Sequence, residues 1–303
     1  MDESTDRFVT VRPPFSLAVT CGPVHWTTNR SPRHRWDHGV LTWVGWEGET
    51  DVWRRCWQVA PDRLAIEGTA DSALDASWAR DVLGCDIGGF SFQDPVIAAI
   101  DAAYPGLHPF CDGSVFDGVI TAIVGQSISV AAAAITQAKL AALFGGSVRV
   151  GEWDLVPLPR ADQLAEASAQ LIRSSGVTWK RAEAIRFAAQ AAMNGELPDD
   201  DLARRNPDQA VQALLALPLV GRWTAESVVL WGVGAPNAHP TGDVALLRAA
   251  KHAFGRPELT LKTLDVLAEQ WQPARAIAAR LLWTELFGAA PLSDQAPASV
   301  ASR

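Results

Sequence analysis

The chain has 303 residues, of which 48% are hydrophobic and 20% are charged. That length favours two domains and allows a sizeable buried core. No apolar run approaches the roughly 18 residues that a membrane span requires, so membrane-spanning and disordered classes of protein are excluded. The formal net charge of −8 argues against a protein that grips phosphates with a broad basic surface.

The acidic residues are concentrated in the first part of the chain. Residues 1–112 contain 9 Lys and Arg against 16 Asp and Glu, whereas residues 113–303 contain 17 against 18. The second part can therefore still hold a nucleic acid, provided that the contacts are local and use backbone amides.

The cysteines and the N-terminus bear on the compartment and on metal binding. Cys21, Cys56, Cys85 and Cys111 show no CxxC spacing or Cys/His cluster, so we expect buried, reduced thiols rather than a zinc or iron–sulfur site. The acidic N-terminus lacks the pattern of a secretory signal. A cytoplasmic location is therefore expected.

The first third of the chain has the pattern of an α+β domain. Short segments rich in β-branched and aromatic residues, separated by Gly, Pro, Asp and Asn, predict strands over Phe15–Cys21, Gly39–Trp46, Trp53–Val59 and Arg63–Glu67. We interpret the tryptophans on these strands (Trp43, Trp46, Trp53 and Trp57) as core residues, with an aromatic recognition surface as the alternative. The basic cluster of Arg30, Arg33, His34 and Arg35 is interpreted as a solvated loop, with phosphate contact as the alternative.

From about Phe116 onward, alanine-rich stretches with helical spacing predict an all-helical bundle. Ser114 and Ser129 are the expected N-caps of the first two helices, which run through Ile123 and to Phe144. Further helices are predicted over Ala161–Arg173, Lys180–Met193, Pro207–Leu217, Trp223–Trp231, Asp243–Phe254, Leu261–Trp271 and Pro273–Phe287. The predicted fold is an N-terminal α+β domain with an antiparallel sheet (1–112), an all-α domain (113–288) and a flexible tail (289–303).

One turn in the helical part is a candidate phosphate site. In the segment from Leu214 to Ala225, one helix ends, a short turn with Pro218 and Gly221 reverses the chain, and a new helix starts. Backbone N–H groups at the start of a helix bind anions without basic side chains. Such a turn is also a common plain connection between antiparallel helices, so the residues alone leave both interpretations open.

The segment Leu217-Pro-Leu-Val-Gly-Arg-Trp-Thr-Ala225 resembles the helix-hairpin-helix of the DNA glycosylase superfamily. That family continues with a Gly/Pro-rich loop and an aspartate, here His239-Pro-Thr-Gly-Asp243. Upstream, Gly125-Gln-Ser-Ile-Ser129 and Ser175-Gly-Val-Thr-Trp-Lys-Arg-Ala-Glu183 are similar to two further motifs of the family, in the family's order. The matches cover residues 113–287. The segment Pro14-Phe-Ser-Leu-Ala-Val19 resembles the start of the N-terminal α+β domain of DNA-3-methyladenine glycosylase II, so the alkylation-repair branch is the best match.

The resemblance implies a role for each matching residue. Asp243 is the implied catalytic carboxylate, which stabilises the oxocarbenium character of the sugar and orients water. Trp223, Gln126 and Trp283 are implied in the base pocket, where a cationic alkylated purine stacks on an electron-rich ring. The DNA contacts carried over are Pro218, Leu219, Gly221, Arg222, Thr224 and Ser127. Carbonyls of Leu215, Leu217 and Val220 are implied to hold a structural monovalent cation.

Three departures from family patterns refine the expected activity. The lysine of the bifunctional branches is replaced by Trp223, so no lyase step is expected. The family's first hairpin glycine is Leu219, which predicts a reshaped turn, and its wedge position is Ser127.

The resulting expectation is a monofunctional enzyme of base excision repair that needs no cofactor for its chemistry. It acts as a monomer on damaged double-stranded DNA, away from membranes and associated with the nucleoid. The alternatives are a glycosylase for deaminated or oxidised bases and a non-catalytic DNA-binding protein.

Overall fold

The computed structural model describes residues 7–21 and 31–287. The first part of the chain forms a five-stranded antiparallel sheet with the strand order β1-β5-β4-β3-β2. Its strands are β1 (Arg7–Thr10), β2 (His34–Asp37), β3 (Val40–Glu47), β4 (Thr50–Ala60) and β5 (Arg63–Gly68). The three strands predicted between residues 39 and 67 correspond to β3, β4 and β5, so this part of the prediction is confirmed.

The strand predicted over residues 15–21 is wrong. The segment forms one buried helical turn, α1 (Leu17–Cys21). Ser16 begins the turn, because its hydroxyl accepts a hydrogen bond from Val19 N over 3.2 Å, and the side chain of Gln58 accepts one from Leu17 N over 2.9 Å. Burial against the rest of the protein and these capping hydrogen bonds outweigh the strand propensity of the β-branched and aromatic residues in this segment.

Helices make up most of the remaining structure. The helices are α2 (Asp75–Leu83), α3 (Pro95–Ala103), α4 (Val115–Gly125), α5 (Val130–Ala142), α6 (Ala161–Glu166), α7 (Ala169–Arg173), α8 (Trp179–Met193), α9 (Asp200–Arg205), α10 (Pro207–Leu214), α11 (Arg222–Ser227), α12 (Val244–Phe254), α13 (Leu261–Ala268) and α14 (Arg275–Phe287). Ser114 and Ser129 cap α4 and α5 as predicted, by accepting backbone hydrogen bonds from Asp117 and Ala132. The predicted α+β and helical arrangement is confirmed.

Several predicted helices are shorter than expected or are interrupted. The helix predicted over 161–173 is two helices, because Ser168 caps α7 by accepting a hydrogen bond from Leu171 N over 3.1 Å. The helix predicted over 223–231 is α11 followed by a π-helical turn, Val228–Gly232. The helix predicted over 261–271 ends as a 3₁₀ turn, Glu269–Trp271.

Two hydrophobic clusters form the cores of the sheet and of the helices. Val52 and Cys56 of β4 belong to the first cluster. Ile97 and Ile100 of α3 belong to the second, together with the helices from α4 onward. Helix α3 therefore packs with the helical part although it precedes residue 112, and the domain boundary at that residue stays a prediction.

The helical part also contains a short hairpin that the sequence analysis missed. Its strands are β6 (Val148–Val150) and β7 (Trp153–Leu155). Val150 and Leu155 pack with Val44 of the sheet in a small cluster of their own. At three residues each, these strands are too short for an alternating pattern to show.

Arg33 and His34 of the predicted basic loop are buried, so the solvated-loop interpretation is wrong for them. Arg33 forms ion pairs with Asp112 over 3.1 Å and Asp117 over 2.8 Å, which ties the sheet to the start of α4. Arg30 and the tail 289–303 lie outside the described residues. Of the strand tryptophans, Trp43 is buried as predicted.

Helix α4 crosses the π-helical turn at two glycines. A Cβ atom at Gly118 would lie 2.8 Å from the Cα atom of Gly232, so the two backbones are in direct contact.

Among the described residues, no single helix is both long and apolar enough to cross a membrane. Helices α4 and α5 reach the necessary length and apolar content only when they are taken together, and the chain bends by 120° at the break between them.

Candidate active site

The predicted turn lies between α10 and α11. It starts with hydrogen bonds from Leu217 N to Leu214 O (3.1 Å) and from Val220 N to Leu217 O (3.2 Å). Leu219 has a φ of 63°, the left-handed conformation that glycine adopts most easily. The leucine therefore takes up a glycine-type conformation in the turn, with its side chain 42% exposed.

Gly221 leads the chain out of the turn and into α11. It is the N-cap residue of this helix, and no side chain caps the helix. The space beside its Cα atom is open to a distance of 4 Å. A phosphate can therefore approach this backbone closely, as an amide-lined anion site requires.

Gln126 anchors the end of α4 to the turn. Its Nε2 donates hydrogen bonds to the Leu219 carbonyl oxygen (2.8 Å) and to the Thr224 hydroxyl (3.1 Å). The guanidinium of Arg181, at the start of α8, donates to the backbone carbonyl of Gln126. Three separate elements thus meet at one glutamine. The next residue, Ser127, is exposed and has a φ of 55°.

Asp243 and Trp223 are in direct contact, although 20 positions separate them in the chain. The indole Nε1 donates a hydrogen bond to Asp243 Oδ2 over 2.9 Å. Asp243 is also the N-cap of α12, since its Oδ1 accepts a hydrogen bond from Leu246 N over 2.7 Å. The carboxylate therefore lies at the positive end of a helix dipole, against an aromatic ring that is 40% exposed.

The loop before Asp243 is held by two sets of contacts that the sequence analysis did not predict. Buried Glu226 accepts hydrogen bonds from Thr241 N (2.7 Å) and from the Thr241 hydroxyl (2.9 Å). Buried His239 contacts Asp265 of α13, with Nε2 2.9 Å from Oδ1. The i,i+4 spacing of Arg222 and Glu226 was a detectable signal for a helix-surface ion pair, but nothing in the sequence linked Glu226 to Thr241.

Trp283 lies in the core, on α14. It is 6% exposed and packs against Trp231, with ring centroids 5.2 Å apart. The guanidinium of Arg280 lies 4.1 Å from the centroid of the Trp231 ring. No hydrogen bond or ring contact between described residues joins Trp283 to Trp223 or Asp243. Its pocket role stays a prediction, as do the roles of the other site residues.

Two charged groups near this core have shifted pKa values. Burial lowers the pKa of Arg280 to about 10, while its guanidinium donates to the carbonyls of Leu230 (2.9 Å) and Phe110 (3.2 Å). Burial raises the pKa of Asp200 to about 6, with Asp117 and Asp81 adding to the rise. Arg280 remains charged at neutral pH and joins α14 to the segments before α4 and α12.

A separate cavity of about 320 Å³ lies between the sheet and α4. Its walls include Trp43, Trp46 and Trp78 together with Arg33, Asp112 and Asp117. None of its lining residues belongs to the predicted site. Within this wall, Arg33 forms ion pairs with both aspartates, so these charges are compensated locally.

No family model matches the chain. Over 189 residues it is 34% identical to DNA-3-methyladenine glycosylase 2 of Escherichia coli, an alignment that covers 62% of this chain and 63% of that protein. The chain thus spans less than two thirds of that relative's length.

Solved structures show the same fold. The chain resembles the 3-methyladenine DNA-glycosylase from Archaeoglobus fulgidus with a TM-score of 0.78 and 20% identity, covering 93% of this chain and 99% of that one. It resembles the Clostridium acetobutylicum 8-oxoguanine glycosylase/lyase, solved with double-stranded DNA containing cytosine opposite 8-oxoguanine, with a TM-score of 0.69 and 15% identity over 94% of this chain and 98% of that one.

The sequence similarity and the fold point to the same group of proteins. The chain is similar in sequence to a DNA-3-methyladenine glycosylase and in fold to two DNA glycosylases. These similarities agree with the resemblance found in the sequence.

Proposed function

We propose that the protein is a monofunctional DNA glycosylase that removes alkylated bases, such as 3-methyladenine, from duplex DNA. The observation that carries the proposal is the contact between Asp243 and Trp223 beside an open helix-hairpin-helix turn. A carboxylate, an exposed aromatic face and a phosphate-binding backbone are the three groups that this reaction needs. The similarity to alkylation-repair relatives supports the same substrate class.

The proposed binding step begins at the turn. Backbone amides around Gly221 and the side chain of Arg222, which is 64% exposed, hold phosphates of the strand. Pro218, Leu219 and Ser127 complete the proposed contact surface. Thr224, also predicted to contact DNA, is buried and supports this surface by accepting the hydrogen bond from Gln126 Nε2. Carbonyls of Leu215, Leu217 and Val220 are the proposed oxygen donors to a monovalent cation, since they follow the end of α10. The Leu217 carbonyl also accepts a hydrogen bond from Val220 N.

The proposed chemical step follows base flipping. The damaged base leaves the stack at a cost of a few kcal/mol and stacks on Trp223, which contributes roughly 1–3 kcal/mol. As the bond between C1′ and the base nitrogen breaks, the Asp243 carboxylate stabilises the positive charge on the sugar. Water adds to C1′ and gives its proton to the carboxylate, and the electron pair of the broken bond leaves with the base. No amine attacks the sugar, so the strand is not cut.

The setting that we propose follows from this substrate. The partner is damaged double-stranded DNA, and the enzyme acts on it as a monomer in the cytoplasm, at the nucleoid, without a cofactor for the chemistry. Binding should weaken with salt at a log–log slope of about −0.9 per phosphate contacted.

A panel of duplexes tests the proposal. Each duplex carries one alkylated, deaminated or oxidised base, and we expect base release from the alkylated duplex with strand breakage only after alkali. Asp243→Asn should lower the single-turnover rate by at least about 100-fold, which corresponds to about 3 kcal/mol, and still bind an abasic-site analogue.

The matched control is Asp199→Asn. Asp199 is an exposed helix N-cap that accepts a hydrogen bond from Leu202 N over 2.9 Å, so this variant repeats the chemical change at a cap outside the site and should retain wild-type activity. Release of only deaminated or oxidised bases would change the substrate class. Tight binding without any release would identify a non-catalytic DNA-binding protein.

A further inference from the structure

Glu226 occupies a buried position between the hairpin helix and the loop that carries Asp243. It lies on α11, and its side chain is 7% exposed. Three hydrogen bonds reach its carboxylate: one from Arg222 Nε over 2.8 Å, and two from Thr241. These donors satisfy the hydrogen-bonding capacity of a carboxylate that is withdrawn from solvent.

The first partner, Arg222, belongs to the proposed DNA-binding surface. Its side chain is 64% exposed, and its Nε is directed to Glu226 one helical turn away. Among the described residues, no hydrogen bond from the two terminal guanidinium nitrogens is found. Glu226 therefore fixes the Nε side of the Arg222 guanidinium. The terminal N–H groups of the guanidinium remain available to a phosphate, and a fixed orientation favours that contact.

The second partner, Thr241, immediately precedes Gly242 and Asp243. Its N–H donates to Glu226 Oε2 and its hydroxyl to Glu226 Oε1. Gly242 follows with a φ of 77°, so the loop makes a left-handed turn between the fixed residue and the carboxylate. Since Trp223 on the same helix bonds to Asp243, α11 contacts this short segment at two points.

We propose that Glu226 is a positioning residue that links the phosphate-binding hairpin to the placement of Asp243. This inference rests on the proposed function. One carboxylate fixes Arg222 on the DNA side and Thr241 on the sugar side, so that strand binding and the position of the reacting carboxylate are set by the same group. Glu226 itself touches neither DNA nor the reacting atoms.

Two substitutions separate the two contacts. In Glu226→Gln, the amide oxygen can still accept from Thr241 N, and the amide NH₂ can donate to the Thr241 hydroxyl. The amide NH₂ and the Arg222 Nε–H are both donors and cannot bond to each other, so only the contact with Arg222 is lost. Glu226→Ala loses both contacts.

We expect Glu226→Gln to weaken binding of an abasic-analogue duplex about three- to tenfold, with a saturated single-turnover rate within about threefold of wild type. Glu226→Ala should show the same loss of affinity and, in addition, a rate at least about tenfold lower. Amide exchange at Thr241 should become faster in the alanine variant and stay protected in the glutamine variant. A purely structural role would lower the melting temperature without changing the rate of the folded, DNA-bound enzyme.

Asp75→Asn is the matched control for stability. Asp75 is a buried carboxylate paired with Arg54 and Arg7 in the N-terminal part, so its loss should lower the melting temperature and leave excision by the folded enzyme unchanged. A wild-type excision rate in Glu226→Ala would overturn the inference.

A wild-type enzyme that excises no lesion would overturn the proposed function instead. The inference would then be decided by affinity and exchange, and it would fail if Glu226→Ala bound the abasic-analogue duplex as tightly as wild type with Thr241 still protected.

Discussion

The indole of Trp223 donates its Nε1 hydrogen bond to Oδ2 of Asp243, 2.9 Å away. Because Leu246 N donates a hydrogen bond to the other oxygen, the carboxylate is held from two sides. The ring is thus an anchor for Asp243. In the proposed mechanism, an extruded base that stacks on Trp223 meets a ring whose position is already coupled to the carboxylate.

Replacing Trp223 with Phe or Ala tests these two contributions. Phe retains an aromatic face but no N–H donor, so we expect the single-turnover excision rate to fall about three- to tenfold. Ala also loses stacking worth roughly 1–3 kcal/mol, and the rate should fall by about 100-fold. Trp179→Phe, at an exposed tryptophan beside Arg173, is the control and should have no effect. Equal losses in Phe and Ala would show that the hydrogen bond alone matters.

Leu219→Gly tests the turn. A non-glycine residue in the left-handed region costs roughly 1–2 kcal/mol, whereas glycine loses about 0.5–1 kcal/mol through the entropy of the unfolded chain. We expect the free energy of unfolding to rise by up to about 1 kcal/mol in chemical denaturation. DNA affinity should increase about two- to fivefold, because glycine at this position leaves more room for a phosphate at the proposed contact surface.

The control for Leu219→Gly is Leu74→Gly. Leu74 is similarly exposed but has a φ of −95°, so glycine should only destabilise the protein there. A fall in DNA affinity in Leu219→Gly would indicate that the leucine side chain itself contacts the strand.

Asp200 makes stability depend on pH. Its pKa is about 6 in the folded protein, above the ordinary value of about 3.9 in an unfolded chain, so the folded state binds the proton more tightly. The contribution of this group to stability is present below about pH 4 and is lost as the pH rises through 6, by at most about 3 kcal/mol.

Asp200→Asn keeps an acceptor for Val115 N, which donates to Oδ1 over 2.6 Å, but cannot titrate. We expect the free energy of unfolding of wild type, measured with urea, to fall relative to that of this variant between pH 4 and pH 6. A difference that is constant with pH would contradict the shifted pKa.

The four cysteine thiols should react slowly in the folded protein. All four are reduced and buried, as the sequence predicted. Burial raises the pKa of Cys111 to about 11 and that of Cys85 to about 12, and the thiolate is the reactive form. A thiol reagent at pH 8 should label four sites only after denaturation, and rapid labelling of a native thiol would contradict this packing.

The sequence predicted the elements whose signals are local. Ser114 and Ser129 predicted two helix starts, and the β-branched and aromatic segments between turn residues in 39–67 predicted three strands. The segment 15–21 was misassigned because its β-branched and aromatic residues serve a buried helical turn, held by Ser16 and Gln58, and the second bond comes from 41 positions away.

The candidate site divides in the same way. The resemblance to the family singled out Asp243, Trp223 and Gln126. It did not predict that the Gln126 amide binds the turn itself, because that contact depends on how α4 crosses the hairpin. Glu226 was missed for the same reason, since its partner Thr241 is 15 positions away and no local pattern connects them.

The crossing at Gly118 and Gly232 has a consequence for the spacing between Gln126 and Trp223. Gln126 is at the end of α4, and Trp223 is on the helix that runs into the π-helical turn, so the spacing between these helices is set where main chain touches main chain. No rotamer change can widen or narrow such a junction. If the proposed function holds, lesions of different size are accommodated by the exposed side chains around the site or by displacement of an entire helix.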